Sequence, residues 1–163
     1  GGMMGGYIED GFPFYFINRR MLEYLGYENE TEFVSDIGGM ITNCMHPDDR
    51  AMVDAEVARQ MAVRGEYMVE YRMKKRDGSY IWVQDLGHEV TAEDGRPAII
   101  SVCIDITAQK KAQAEIIHLY NNVPGAVFRV RYEKDFTIVD ANDGLYEFLG
   151  YTRDEFIALG NRM

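Results

Sequence analysis

Cysteine is almost missing from these 163 residues: Cys44 and Cys103 are the two, far apart and without paired spacing. That excludes a disulfide framework and a cysteine-based zinc site, and a reduced, cytoplasmic setting is the expectation. Basic residues are also in deficit. Seventeen Lys and Arg stand against 27 Asp and Glu, a net charge of −10. A nucleic-acid partner would call for the opposite balance. No run approaches the ~18 apolar residues of a membrane span, and no charged-then-apolar leader opens the chain. It opens instead on GGMMGGY, which reads as the interior of a longer protein, so an excised piece of one is expected. Apolar residues make up 47% and aromatics 12% of the chain, enough for a substantial core.

GYIED (6–10) and PFYFI (13–17) read as two short strands around the turn-forming Asp10-Gly11. A short helix follows from Arg20 to Leu25, closed by Gly26. Asn29, with Glu32 three residues on, starts another. HPDDR (46–50) opens a long helix, with Pro47 at its first position and Asp48 and Asp49 at the positive end of its dipole. Val53, Val57 and Met61 give it an apolar stripe, and Arg64-Gly65 ends it. Three strands come next, joined by the Asp-Gly turns of RDGS and EDGRP. In the first, Tyr67, Val69, Tyr71 and Met73 alternate with Met68, Glu70, Arg72 and Lys74 and mark the buried face. In the last, Ile100, Val102, Ile104 and Ile106 share a face. Thr107 is expected to cap a helix over about 108–120, in which Ala112, Ile116 and Leu119 form a narrow apolar seam for one partner helix.

Beyond NNVPG the opening returns. LEYLGYENETEF (22–33) is echoed by YEFLGYTRDEF (146–156). An offset of 124 pairs Phe12 with Phe136, Asn18 with Asn142 and Gly26 with Gly150, while Phe33 and Phe156 differ by 123. Two tandem modules are implied, the second reaching its first two strands and helices before the sequence stops. Phe128, Val130, Phe136, Ile138, Val139, Phe148, Leu149 and Phe156 would then form an apolar surface without a core of its own.

FYFINRRMLEYLGY, HPDDR, EYRMKKRDGSYIWV and GRPAIISVCIDITAQKKAQ, in that order over most of residues 5–111, resemble the PAS domain of bacterial sensor proteins. DIT (105–107) resembles the end of its C-terminal PAC motif. IVDANDGLYEFLGYTRDEF resembles the start of a second PAS domain. The resemblance implies an α+β fold: a five-stranded antiparallel sheet with helices on one face. The expected layout is a sensor domain over 1–107, a linker helix over 108–122 and the first part of a second module over 123–163.

By the same resemblance, the chain belongs to a multidomain sensor with a histidine kinase or diguanylate cyclase output domain. It is then expected to bind a small ligand or dimerise, and to pass its signal through Asp105, Ile106 and Thr107. Phe14, Phe16, Leu25, Met40, Val57, Tyr71, Trp82 and Val102 are the candidate pocket residues. A homodimer is expected from the helical seam. A purely structural dimerisation module and a haem- or flavin-binding redox sensor are the alternatives. No catalytic constellation and no metal cluster is read from the residues. His46, His88 and His118 fall in separate elements. The NC at 43–44 shares a cysteine with the flavin-binding LOV class but not its surrounding motif, so Cys44 and Cys103 read as small buried apolar residues.

Overall fold

The computed structural model describes residues 1–132 and 136–160. The chain divides into two compact units, Gly1–Ala108 and Gln109–Met163. In the first, strands β1 (Gly2–Tyr7), β2 (Phe14–Ile17), β3 (Glu66–Lys74), β4 (Tyr80–Thr91) and β5 (Pro97–Asp105) form one sheet in the order β2-β1-β5-β4-β3. Every pairing is antiparallel. Helices α1 (Arg19–Leu25), α2 (Glu30–Asp36) and α3 (Pro47–Arg64) and a 3-10 turn (Ile41–Cys44) lie between β2 and β3 in sequence. They cover one face, over a core that includes Met21, Leu25, Phe33, Met73, Val83 and Cys103.

The first strand lies earlier than the sequence reading places it, at 2–7 and not 6–10. Its glycines are spacing elements. A Cβ on Gly2 would stand 2.6 Å from the Met21 sulfur, and one on Gly5 would stand 2.6 Å from the Ile99 carbonyl oxygen. This central strand is pressed between a helix and a neighbouring backbone, which selects against the side chains that normally announce a strand.

Helix starts follow the expected chemistry. Asn18 precedes α1, and its Oδ1 accepts from Met21 N–H and from Met3 N–H, both at 2.9 Å. It therefore caps the helix and holds β1 to it. Asn18→Ala should cost roughly 2 kcal/mol, the upper end for a cap, because a second donor also loses its partner. Urea unfolding followed by Trp82, the single tryptophan, measures this; a loss below about 0.5 kcal/mol would refute the double role.

HPDDR explains itself at α3. The His46 ring accepts from Asp48 N–H at 3.2 Å. Asp49 reaches across to β3, accepting from Arg72 N–H, Nε and Nη2 at 2.9, 3.0 and 2.6 Å. Hydrogen bonding to Arg72 holds the Asp49 carboxyl below its ordinary pKa.

On β5 the face carrying Ile100, Val102 and Ile104 turns away from the core, with Val102 and Ile104 exposed. Ile99, Ser101 and Cys103 face inward. The shared face of the aliphatic run is thus an outer one along the strand, against the pocket placement of Val102, while Ile106, just beyond the strand, is buried. Two of the inward positions carry small groups, Cys103 and Ser101, and the Ser101 hydroxyl pairs there with Tyr67 Oη at 2.8 Å.

The second unit contains most of α4 (Thr107–Asn122), then β6 (Phe128–Tyr132), β7 (Phe136–Ala141), α5 (Asp143–Leu149) and α6 (Arg153–Ala158). The repeat extends to atoms. Asn142 Oδ1 accepts from Leu145 N–H at 3.2 Å and Val127 N–H at 2.9 Å, the counterparts of Met21 and Met3 at the same offset of 124. The unit does have a small core, of Ile138, Ala141, Leu145, Tyr146 and Phe156. Phe128, Phe136, Val139 and Phe148 stay exposed. None of the residues of α4 is buried, and Ile116 and Leu119 of the seam are well exposed.

Candidate functional site

A cavity of about 620 Å³ lies in the first unit, within the range of small-molecule sites. Its walls come from β1 and the turn after it, from α3 and from the inner face of β3, β4 and β5. Two of the eight candidate residues, Val57 and Tyr71, line it. Leu25 is wholly within the core, and Phe14 stacks edge-on against Phe33 at 6.1 Å. Phe16, Met40 and Val102 are exposed. Trp82 belongs to the outer set of β4, where the Arg72 guanidinium lies 5.8 Å from its ring centre. An aromatic or aliphatic type therefore did not identify the lining.

The polar floor of the cavity was missed. Asp85 is in the middle of β4 and is 5% exposed. Its Oδ2 accepts from Tyr71 Oη at 2.9 Å and, at a long 3.4 Å, from Tyr67 Oη. Tyr67 Oη also pairs with Ser101 Oγ at 2.8 Å. Asp85 Oδ1 is buried and receives no well-aligned hydrogen bond from the protein, and Nε of Arg50 likewise makes none; burial outweighs the nearby Ser101 hydroxyl, which favours the charged carboxylate. Both residues line the cavity. Removal from water pushes the Asp85 carboxyl up to about 6. Burial, then the Asp85 charge, drives both phenols well above their ordinary value, so they remain donors. A signal for Asp85 was present in YIWVQDLGHEV. Ile81, Val83, Asp85 and Gly87 alternate onto one face, and that face is buried.

No histidine and neither cysteine lines this cavity. An axial imidazole for haem, or a thiol for a flavin adduct, thus has no residue at its wall. Cys44 donates to the Ile41 carbonyl at 2.9 Å, and burial pushes its thiol up to about 12, which leaves it unreactive. Among the described residues no His, Cys, Asp and Glu group has a metal-holding arrangement, and no helix is long and apolar enough to cross a membrane.

At the other end of the sheet the DIT segment is stitched to β4. Ile106 N–H donates to the Trp82 carbonyl at 2.9 Å. Trp82 N–H donates to Thr107 Oγ1 at 2.9 Å. Asp105 Oδ1 accepts from Thr107 N–H at 2.9 Å. The expected cap is thereby corrected. Asp105 forms the local turn that starts α4, while the Thr107 hydroxyl points back to the strand. Thr107 is already helical, so its side chain is free for a long-range bond.

This sheet order, with helices between the second and third strands and a cavity beneath them, defines an α+β module with an internal ligand-sized chamber. A model of the PAS fold matches residues 14–103 and a model of the PAS domain matches residues 114–163. The chain belongs to the PAS family. It is similar to a sensory box histidine kinase/response regulator from Burkholderia thailandensis, with 28% identity and a TM-score of 0.53 over 71% of this chain and 83% of that one. A PAS domain from Colwellia psychrerythraea shares the fold at 20% identity and a TM-score of 0.54, over 66% and 86%. The uncharacterized protein y4lL of Sinorhizobium fredii is 34% identical over 74 residues, 45% of this chain and 9% of that protein's length.

Proposed function

We propose that the first module senses a small molecule held in the cavity and passes its presence through Asp105, Ile106 and Thr107 to α4, within a multidomain bacterial sensor. The observation carrying this is the cavity of about 620 Å³ with two unpartnered buried polar atoms in its wall. Such atoms cost free energy unless something meets them. The kinship with a sensory box histidine kinase/response regulator supports a histidine kinase as the output domain; a diguanylate cyclase is the other candidate. The module itself is a non-catalytic part of that protein, acting in the cytoplasm.

Mass spectrometry of the protein as purified, native against denatured, tests the ligand. A mass lost on denaturation supports the reading. A visible spectrum of the same sample decides the haem or flavin alternative, since a Soret band or flavin peaks would replace the proposal. A homodimer through α4 is part of the same reading, supported by its exposed Ile116 and Leu119. Light scattering showing a monomer at high micromolar concentration would remove it.

Thr107→Val keeps the side-chain shape and deletes the acceptor for Trp82 N–H. In the full-length sensor it should reduce the output change on stimulation at least fivefold while leaving the module folded. Normal switching by that variant in a cell-based reporter would reduce the joint to a structural contact.

A further inference from the structure

The two unpartnered atoms are of opposite kind. Asp85 Oδ1 is an acceptor on the sheet floor, and Arg50 Nε is a donor on the first turns of α3. Both line one cavity, yet they form no ion pair with each other. The remaining acceptor of Asp85 is already taken by the Tyr71 hydroxyl. The protein itself supplies no partner for one acceptor and one donor in a chamber whose apolar wall includes Met4, Val53, Val57, Met61 and Ile99. Among the described residues Arg50 is the only basic one of the lining, and the exposed carboxylates of Glu9, Asp10, Asp54 and Glu89 also belong to it. Glu9 is engaged by Arg96 at 3.2 Å. A purely anionic guest would enter against that charge.

We infer that the cavity selects a small, mainly apolar molecule whose polar end carries a donor and an acceptor together. An ammonium or amide N–H meets Asp85 Oδ1, and a carboxylate or carbonyl meets Arg50 Nε. This rests on the ligand-binding reading above and adds the chemical class to it. The discrimination arises from the cost of leaving either buried atom bare. A guest with one group pairs one atom and strips water from the other. Sites built to hydrogen-bond a group reject the analogue that lacks it far more sharply than they reject a change of apolar bulk.

Four probes with one phenyl body test this on the whole chain by two-dimensional amide NMR titration to 10 mM. Phenylalanine carries both groups, 2-phenylethylamine the donor, 3-phenylpropionate the acceptor and toluene neither. Phenylalanine should shift the amides of Arg50, Asp85 and Ser101 with at least tenfold higher affinity than either single-group probe. Asp85→Asn should lower its affinity at least tenfold, and Arg50→Gln should do so independently. Arg50→Gln keeps the test open if Asp85→Asn does not fold. Equal binding of 2-phenylethylamine and phenylalanine would overturn the role of Arg50, and equal binding of 3-phenylpropionate that of Asp85. Entry of toluene alone would leave the cavity a ligand site and overturn the inference about its chemistry. No shift with any of the four would overturn both.

Discussion

Asp85→Asn should make the first module progressively more stable than the wild type as pH rises. Burial raises the folded-state pKa of Asp85 to about 6, above the roughly 3.9 of an unfolded aspartate. Over that window the native state holds the proton more tightly than the unfolded state. The Asp85 contribution is thus fully favourable below about pH 4 and is lost as pH rises to about 6. Above that the protein carries an ionised carboxylate with one unpaired oxygen. Between pH 4.5 and 7.5 the difference between variant and wild type should shift by roughly 2 kcal/mol in favour of the variant. Urea unfolding followed by Trp82 fluorescence reads the first module. Two stability–pH curves that run parallel would mean Asp85 does not titrate in this window. A bound guest donating to Oδ1 should flatten the wild-type curve, since the charged form would then be paired.

Gly87→Ala should be the most damaging change of a single methyl group near the site. Gly87 needs no unusual backbone angle; it needs room. An added Cβ would overlap Cε1 and Cζ of Tyr67 on the paired strand, opposite which Gly87 sits in register. Tyr67 cannot easily yield. It is 9% exposed, and its hydroxyl is bonded to Ser101 and reaches toward Asp85. The expected cost is about 3 kcal/mol, the upper end for overpacking. In the Tyr67→Ala background the same substitution should cost less than 1 kcal/mol, because the obstructing ring has gone. Equal costs in both backgrounds would locate the damage elsewhere.

Local chemistry made the frame legible from sequence. Asp-Gly turns and period-two alternation gave the meander of β3, β4 and β5, and Tyr67, Val69, Tyr71 and Met73 are the buried set of β3. Gly26, Gly65 and Gly150 take the left-handed cap conformation. The failures share a physical cause, which is contact between segments distant in sequence. β1 was misplaced because its glycines answer to Met21 and Ile99. Val102 was assigned to the pocket because an aliphatic residue on an outer face looks the same as one on an inner face. Asp85 was not singled out, although its alternation with Ile81 and Val83 puts it on the buried face. The Thr107 hydroxyl was given a local task because its partner, Trp82, is 25 positions away.

The placement of Asp85 and Trp82 on one strand has a consequence for modularity. They are three positions apart, about 10 Å of extended backbone. The carboxylate faces the cavity and the Trp82 amide holds Thr107. In the proposed scheme the input and its lever arm are thus a single stiff segment, with no hinge between them. A chimaera joined to a foreign output at any point after residue 108 inherits both ends of that lever intact. One joined before residue 105 keeps the receptor and discards the handle.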